Sequence, residues 1–70
     1  ANRAGLELTA RQREVLRLIL RGQRAKEIAS TLQMSTRAVE AIKYRIMMTL
    51  RVRSTAELVR YAIEHHVVGY

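Results

Sequence analysis

The stretch Ile28-Ala-Ser-Thr-Leu-Gln-Met-Ser-Thr-Arg-Ala-Val-Glu-Ala-Ile-Lys-Tyr-Arg-Ile46 reads as a short helix, a tight break and a longer helix. The break is Gln33-Met34-Ser35, and Ser35 supplies a hydroxyl to cap the longer helix. An N-cap serine accepts a hydrogen bond from an orphan backbone N–H two or three residues on, here Arg37 or Ala38, so the longer helix is expected to begin at Thr36. Before the break, Ile28, Ala29 and Leu32 fall on one helical face. After it, Val39, Ile42, Ile46 and Leu50 recur at three- and four-residue spacing, an apolar stripe of helical period.

Two short amphipathic helices across such a break have the outline of a helix-turn-helix, whose second helix enters the major groove of DNA. Working outward, Thr9-Ala-Arg-Gln12 is a capping box: the Thr9 hydroxyl accepts from the N–H three residues on, and Gln12 reaches back to Thr9. It opens a helix expected over Ala10 to about Leu20, with Val15, Leu16, Ile19 and Leu20 as its buried stripe and Arg11, Arg13 and Arg17 as solvated charges. Gly22 ends it in the left-handed conformation that glycine adopts cheaply. The short helix is expected over Ala25 to Leu32, with Arg24 and Lys26 beside N–H groups that can hold a phosphate. Beyond Leu50, Arg51-Val-Arg53 connects to a second capping box, Ser54-Thr-Ala-Glu57. That box opens a fourth helix running to about His65. In it, Leu58 and Ala62 face inward, and Val59 and Ile63 lie on an adjoining flank. Residues 1–7 read as a flexible linker or arm, and residues 8–70 as one domain.

Composition agrees with an all-α class. There is no Pro, and the three Gly lie at positions 5, 22 and 69, so the expected helices are free of breakers. Without Cys, neither disulfides nor thiolate metal sites can hold the domain together, which leaves helix packing, supplemented by dimerisation. Thirteen Lys and Arg against six Asp and Glu give a net charge of +7, which favours a polyanionic partner. The apolar runs are too short to span a bilayer and nothing resembles a signal peptide, so a cytoplasmic location is expected.

The ordered set Leu8-Thr-Ala-Arg-Gln-Arg-Glu-Val-Leu16, Gly22, Lys26-Glu-Ile-Ala29, Leu32, Ser35, Val39-Glu40, Arg45-Ile46 and Leu50 resembles the LuxR/FixJ-type helix-turn-helix pattern. The resemblance continues through Ser54-Thr-Ala-Glu-Leu-Val-Arg-Tyr-Ala-Ile63, which looks like the response-regulator (NarL/FixJ) branch. It implies a four-helix DNA-binding domain carried behind a receiver or other sensory domain. It also implies homodimers on double-stranded DNA that meet through the fourth helix, with RNA polymerase a candidate partner; the apolar flank of Val59 and Ile63 is the candidate contact, the alternative being that the two close the edge of the core. This chain departs from residues common in the family at Ala38 (often Thr), Ile42 (often His), Thr49 (commonly Lys) and Arg24-Ala25 (commonly Ser-Asn).

Helical geometry divides the long helix. The side opposite its apolar stripe carries Arg37, Glu40, Ala41, Tyr44, Met48 and Arg51. On the resemblance, Glu40, Ala41 and Tyr44 reach base edges, and Arg37 joins them as a candidate. Arg can pair with G, Glu can accept from the amino group of C, and Ala can touch a thymine methyl. Lys26, Ser35, Thr36, Lys43, Arg45, Arg51 and Arg53 are candidates for the phosphates, which position a protein without carrying sequence information. Ile42, centred in the apolar stripe, is expected in the core.

Other classes fit less well. The chain has no phosphate loop or nucleophile–base set and is too short to enclose a pocket, so no enzyme and no cofactor are expected. Arg is spread over several helices rather than along one polar face, which speaks against a membrane-surface helix. Adjacent His65 and His66 point about 100° apart without further ligands, so they read as helix-end cations, not as a metal site. The rival reading is a helical protein-interaction module using exposed Tyr44, Met47 and Met48.

Overall fold

The computed structural model describes residues 7–67, and these form four helices: α1 (Ala10–Leu20), α2 (Ala25–Leu32), α3 (Thr36–Leu50) and α4 (Thr55–Glu64). No strand occurs among the described residues. The arm read over residues 1–6 and the tail at 68–70 lie outside them.

Each helix starts where a side chain satisfies an orphan amide. Thr9 Oγ1 accepts from the Gln12 N–H at 3.0 Å while Gln12 Oε1 accepts from the Thr9 N–H at 2.9 Å, closing the expected box. Ser35 Oγ accepts from the Ala38 N–H at 3.0 Å. Ser54 Oγ accepts from the Glu57 N–H at 3.1 Å, but the Glu57 carboxylate reaches past Ser54 to the N–H of Arg53. The second box is therefore closed one residue upstream of its expected partner. A free Glu side chain on the first turn can reach either amide, and here it takes the one ahead of the cap. At α2 the Glu27 carboxylate accepts from the Arg24 N–H at 2.8 Å, so this end already holds an anion of its own.

All four helices stop in the same way. The residue past each end folds back so that its N–H meets a carbonyl five residues earlier: Gln23 to Leu18 at 3.1 Å, Met34 to Ala29 at 2.8 Å, Val52 to Met47 at 3.0 Å and Val67 to Ala62 at 3.1 Å. This Schellman closure needs a left-handed residue just before. Gly22 provides it after α1 at φ 88, whereas Gln33, Arg51 and His66 adopt it at φ 55, 59 and 50. A Cβ on Gly22 would meet nothing within 4 Å, so the constraint there is conformational alone. Gly22→Ala is accordingly expected to lower stability by about 1–2 kcal/mol, and Gln33→Gly to raise it by up to about 1 kcal/mol. Paired thermal melts of the two variants check both signs.

The turns also deliver apolar side chains to the core. Val52 and Val67 are buried by their closures, Met34 is half-buried, and Leu8 is buried just ahead of the first cap. They join one cluster with Val15, Leu16, Leu18, Ile19, Ile28, Ala29, Val39, Ile46, Leu50, Leu58 and Ala62. Three expectations are corrected. Leu18 joins the buried residues of α1, whereas Leu20, expected in the buried stripe, is only half-buried and packs against the edge of the core. Met47 is half-buried against the core instead of exposed, since it lies three residues before buried Leu50 and so borders the apolar stripe. Arg13 is not a plain solvated charge: it is half-buried and its guanidinium donates to the Leu8 carbonyl at 2.7 Å, tying the segment before α1 to the helix.

Candidate nucleic-acid interface

The apolar stripe of α3 fixes its orientation. Val39 and Ile46 are wholly buried, Leu50 nearly so, and Ile42 is half-buried at the edge of the same stripe. Anchoring that side presents the other to solvent. Arg37, Glu40, Ala41, Tyr44, Met48 and Arg51 are all exposed and succeed one another at helical spacing. Tyr44 and Met48 are 65% and 62% exposed, an unusual display of large apolar surface on so small a domain.

Cations flank this stripe. Arg45 and Lys43 lie about 100° to either side of Tyr44 around the helix. Arg45 borders a shallow groove shared with Gln12, Tyr44, Met48 and Thr49. Lys43 borders a cleft shared with Gln23, Arg24, Ala25 and Thr55, floored by Ile19, Ile28 and Val39. Gln12, Arg24 and Thr55 join these rims only through tertiary packing, which no local pattern in the chain reveals.

The remaining candidates occupy helix ends. Lys26 is exposed on the first turn of α2, Ser35 and Thr36 are exposed at the start of α3, and Arg51 and Arg53 straddle buried Val52. Ser35 caps α3 with both of its oxygens: its hydroxyl accepts from the Ala38 N–H and its carbonyl from the Val39 N–H at 3.1 Å. Arg51 projects from a left-handed turn, a backbone state that glycine would take more cheaply. Lys43 differs from the other cations: its ammonium lies 3.2 Å from Glu40 Oε1.

Away from α3, Ile63 is 47% exposed on α4, whereas Val59, one turn earlier, is half-buried against the core. Tyr61 and His65 stack with ring centroids 4.2 Å apart, and His66 forms the left-handed closure of α4, so both histidines lie at the helix end. Among the described residues no group of three His, Cys, Asp or Glu side chains is placed to hold a metal, and no helix is long and apolar enough to cross a membrane.

Residues 6–62 match the family model for bacterial regulatory proteins of the luxR family. The chain is 39% identical over 62 residues to the transcriptional regulatory protein MctR of Rhizobium johnstonii, covering 89% of this chain and 29% of that protein. It is 41% identical over 63 residues to the oxygen regulatory protein NreC of Staphylococcus carnosus, covering 90% of this chain and 29% of that one. The chain thus spans under a third of the length of the relatives it matches. No solved structure matches it.

Proposed function

The chain belongs to the luxR family of bacterial regulatory proteins, whose domain binds DNA in transcription regulation, and from that premise we propose that it is the sequence-reading output unit of a longer response regulator. In that protein a receiver or sensory domain precedes it, it acts in the cytoplasm as a homodimer on double-stranded DNA, and RNA polymerase is the machinery it addresses. Its role is binding, not catalysis. The observation that carries this reading is the exposed stripe of α3, held outward by buried Val39, Ile46 and Leu50.

In the complex α3 lies in the major groove. Arg37, Glu40, Ala41 and Tyr44 meet base edges, with Arg37 suited to guanine, Glu40 to the cytosine amino group and the Ala41 methyl to thymine. Arg45, Arg51, Arg53 and Lys26 take phosphates, with Ser35 and Thr36 at the start of α3 completing the clamp. Lys43 stands apart from this set because Glu40 already engages its ammonium.

Selection of bound duplexes from a random pool tests the proposal. Enrichment of inverted half-sites whose centres lie about one turn, roughly 10 base pairs, apart is expected. Enrichment of no sequence would reject it. Exchanging Arg51 for Ala is then expected to weaken binding to every duplex and to flatten the salt dependence by about one unit of slope. Exchanging Glu40 for Lys should instead change which duplexes are preferred, and a salt titration across matched and random sites separates the two behaviours. The protein-interaction reading retains Tyr44 and Met48 but loses Met47 to the core, so its apolar base is narrower than the sequence suggests.

A further inference from the structure

A carboxylate on a surface that enters a DNA groove is at a disadvantage. The duplex carries about one negative charge per 1.7 Å of axis, and an uncompensated Glu meets that field directly. Glu40 lies on the edge of the exposed α3 stripe nearest Lys43, with its side chain 54% exposed, so it does not withdraw into the core. Its neighbour is the exception among the cations of this helix. Arg37 and Arg45 are exposed, whereas the Lys43 side chain is only 28% exposed. Lys43 lies along the rim of the cleft between α1, α2 and α4, over Ile28 and Val39. From there its ammonium meets Glu40 Oε1 at 3.2 Å, one helical turn away. No other partner of Glu40 occurs among the described residues.

We propose that Lys43 is a positioning residue for Glu40, and that the pair together form the element that reads one cytosine, in place of Lys43 serving as a phosphate contact. The inference rests on the reading that the outer face of α3 enters the major groove. Packing of the Lys43 stem against the cleft restricts where its ammonium can go. The ammonium binds Oε1 and leaves Oε2 to accept from the exocyclic amino group of the base. It also cancels the charge of the carboxylate, so the pair enters the groove as a nearly neutral acceptor. A Lys engaged this way releases no counterion from the DNA, which separates its signature from that of Arg51.

The experiment is a double-mutant cycle on the domain, read as binding to the selected duplex and to duplexes changed at one base pair at a time. Lys43→Met retains the stem and removes the charge, and Lys43→Arg retains a cation. In the wild-type background Lys43→Met is expected to cost about tenfold on the selected duplex and to erase discrimination at a single C·G pair, with an unchanged salt slope. In a Glu40→Gln background, where there is no charge to cancel, the same change should cost under about twofold. Lys43→Arg should restore the discrimination. Equal losses in both backgrounds and on all duplexes, with the slope lower by about one, would make Lys43 a phosphate ligand and overturn the proposal while leaving the DNA-reading function intact. Failure of the wild-type domain to select any duplex would overturn both. Far-ultraviolet circular dichroism on each variant separates loss of fold from loss of pairing, and unfolding of Lys43→Met with Lys43→Arg folded but unselective also counts against the proposal.

Discussion

Truncating Ile46 to Ala is expected to destabilise the domain by about 2–5 kcal/mol, the range for deleting a branched aliphatic side chain from a packed core. Ile46 is 0% exposed and belongs to the cluster that joins α3 to α1, α2 and α4. A chain of this size has a total stability of roughly 3–10 kcal/mol, so the variant stands at or near the edge of folding. In urea, where small domains lose about 1–3 kcal/mol per molar, the midpoint should fall by about a molar or more. Tyr44→Ala provides the contrast, because it removes a larger side chain from the same helix, one that is 65% exposed. Its midpoint should change by no more than about 0.5 kcal/mol equivalent, the usual scale for surface substitutions. A flat result for Ile46→Ala beside a large shift for Tyr44→Ala would mean that α3 is rotated by half a turn and that its reading face is wrongly assigned.

The starts of α1, α3 and α4 are legible in the chain because an N-cap is a local device: a hydroxyl, an amide three residues on, and little else; α2 is preceded by Arg24, which has no such hydroxyl. Thr9, Ser35 and Ser54 each accept from the amide at that spacing. The helix ends are less legible. A left-handed terminator announces itself when it is Gly22, but Gln33, Arg51 and His66 take the same backbone state without the residue type that signals it. Their downstream neighbours hold them there, since Met34, Val52 and Val67 gain burial only if the chain turns at that point. That gain is tertiary and has no periodicity to read. The same limit applies on the surface. The apolar period of α3 marks Val39, Ile42, Ile46 and Leu50 as its inner side; the structure buries Val39, Ile46 and Leu50 but leaves Ile42 half-buried at the edge of the core. Met47 and Arg13 depart from their expected exposure because their environments come from neighbouring segments, the core flank in one case and the Leu8 carbonyl in the other. The spacing of Glu40 and Lys43 does permit an ion pair, yet only the packing of the Lys43 stem against the cleft distinguishes it from the ordinary exposed kind.

The second large effect is expected on α4. The flank formed by Val59 and Ile63 reads in the sequence as one surface, but the two residues differ in burial. Val59 packs against the core, while Ile63 leaves 47% of its surface in water. Leu58 and Ala62, both essentially inaccessible, already hold α4 in place, so the fold has no need of Ile63. Covering the exposed part of Ile63 in each of two copies contributes at most a few kcal/mol at about 25 cal/mol per Å². Association costs roughly 4–15 kcal/mol, so free domains should remain largely monomeric at micromolar concentration. Adjacent half-sites bring two copies together and remove most of that cost, so pairing through α4 should emerge on DNA. Ile63→Glu is therefore expected to retain the melting temperature and the affinity for a single half-site, while cooperativity on a two-half-site duplex falls about tenfold or more, since a like-charged pair replaces an apolar one. Val59→Glu should behave differently, losing stability first, because it forces a carboxylate against the core. Binding isotherms on single and double half-sites, paired with melts, distinguish these outcomes. If Ile63→Glu binds both duplexes as the parent does, α4 is not the dimer contact. The two recognition helices must then be spaced by another surface or by the rest of the longer protein.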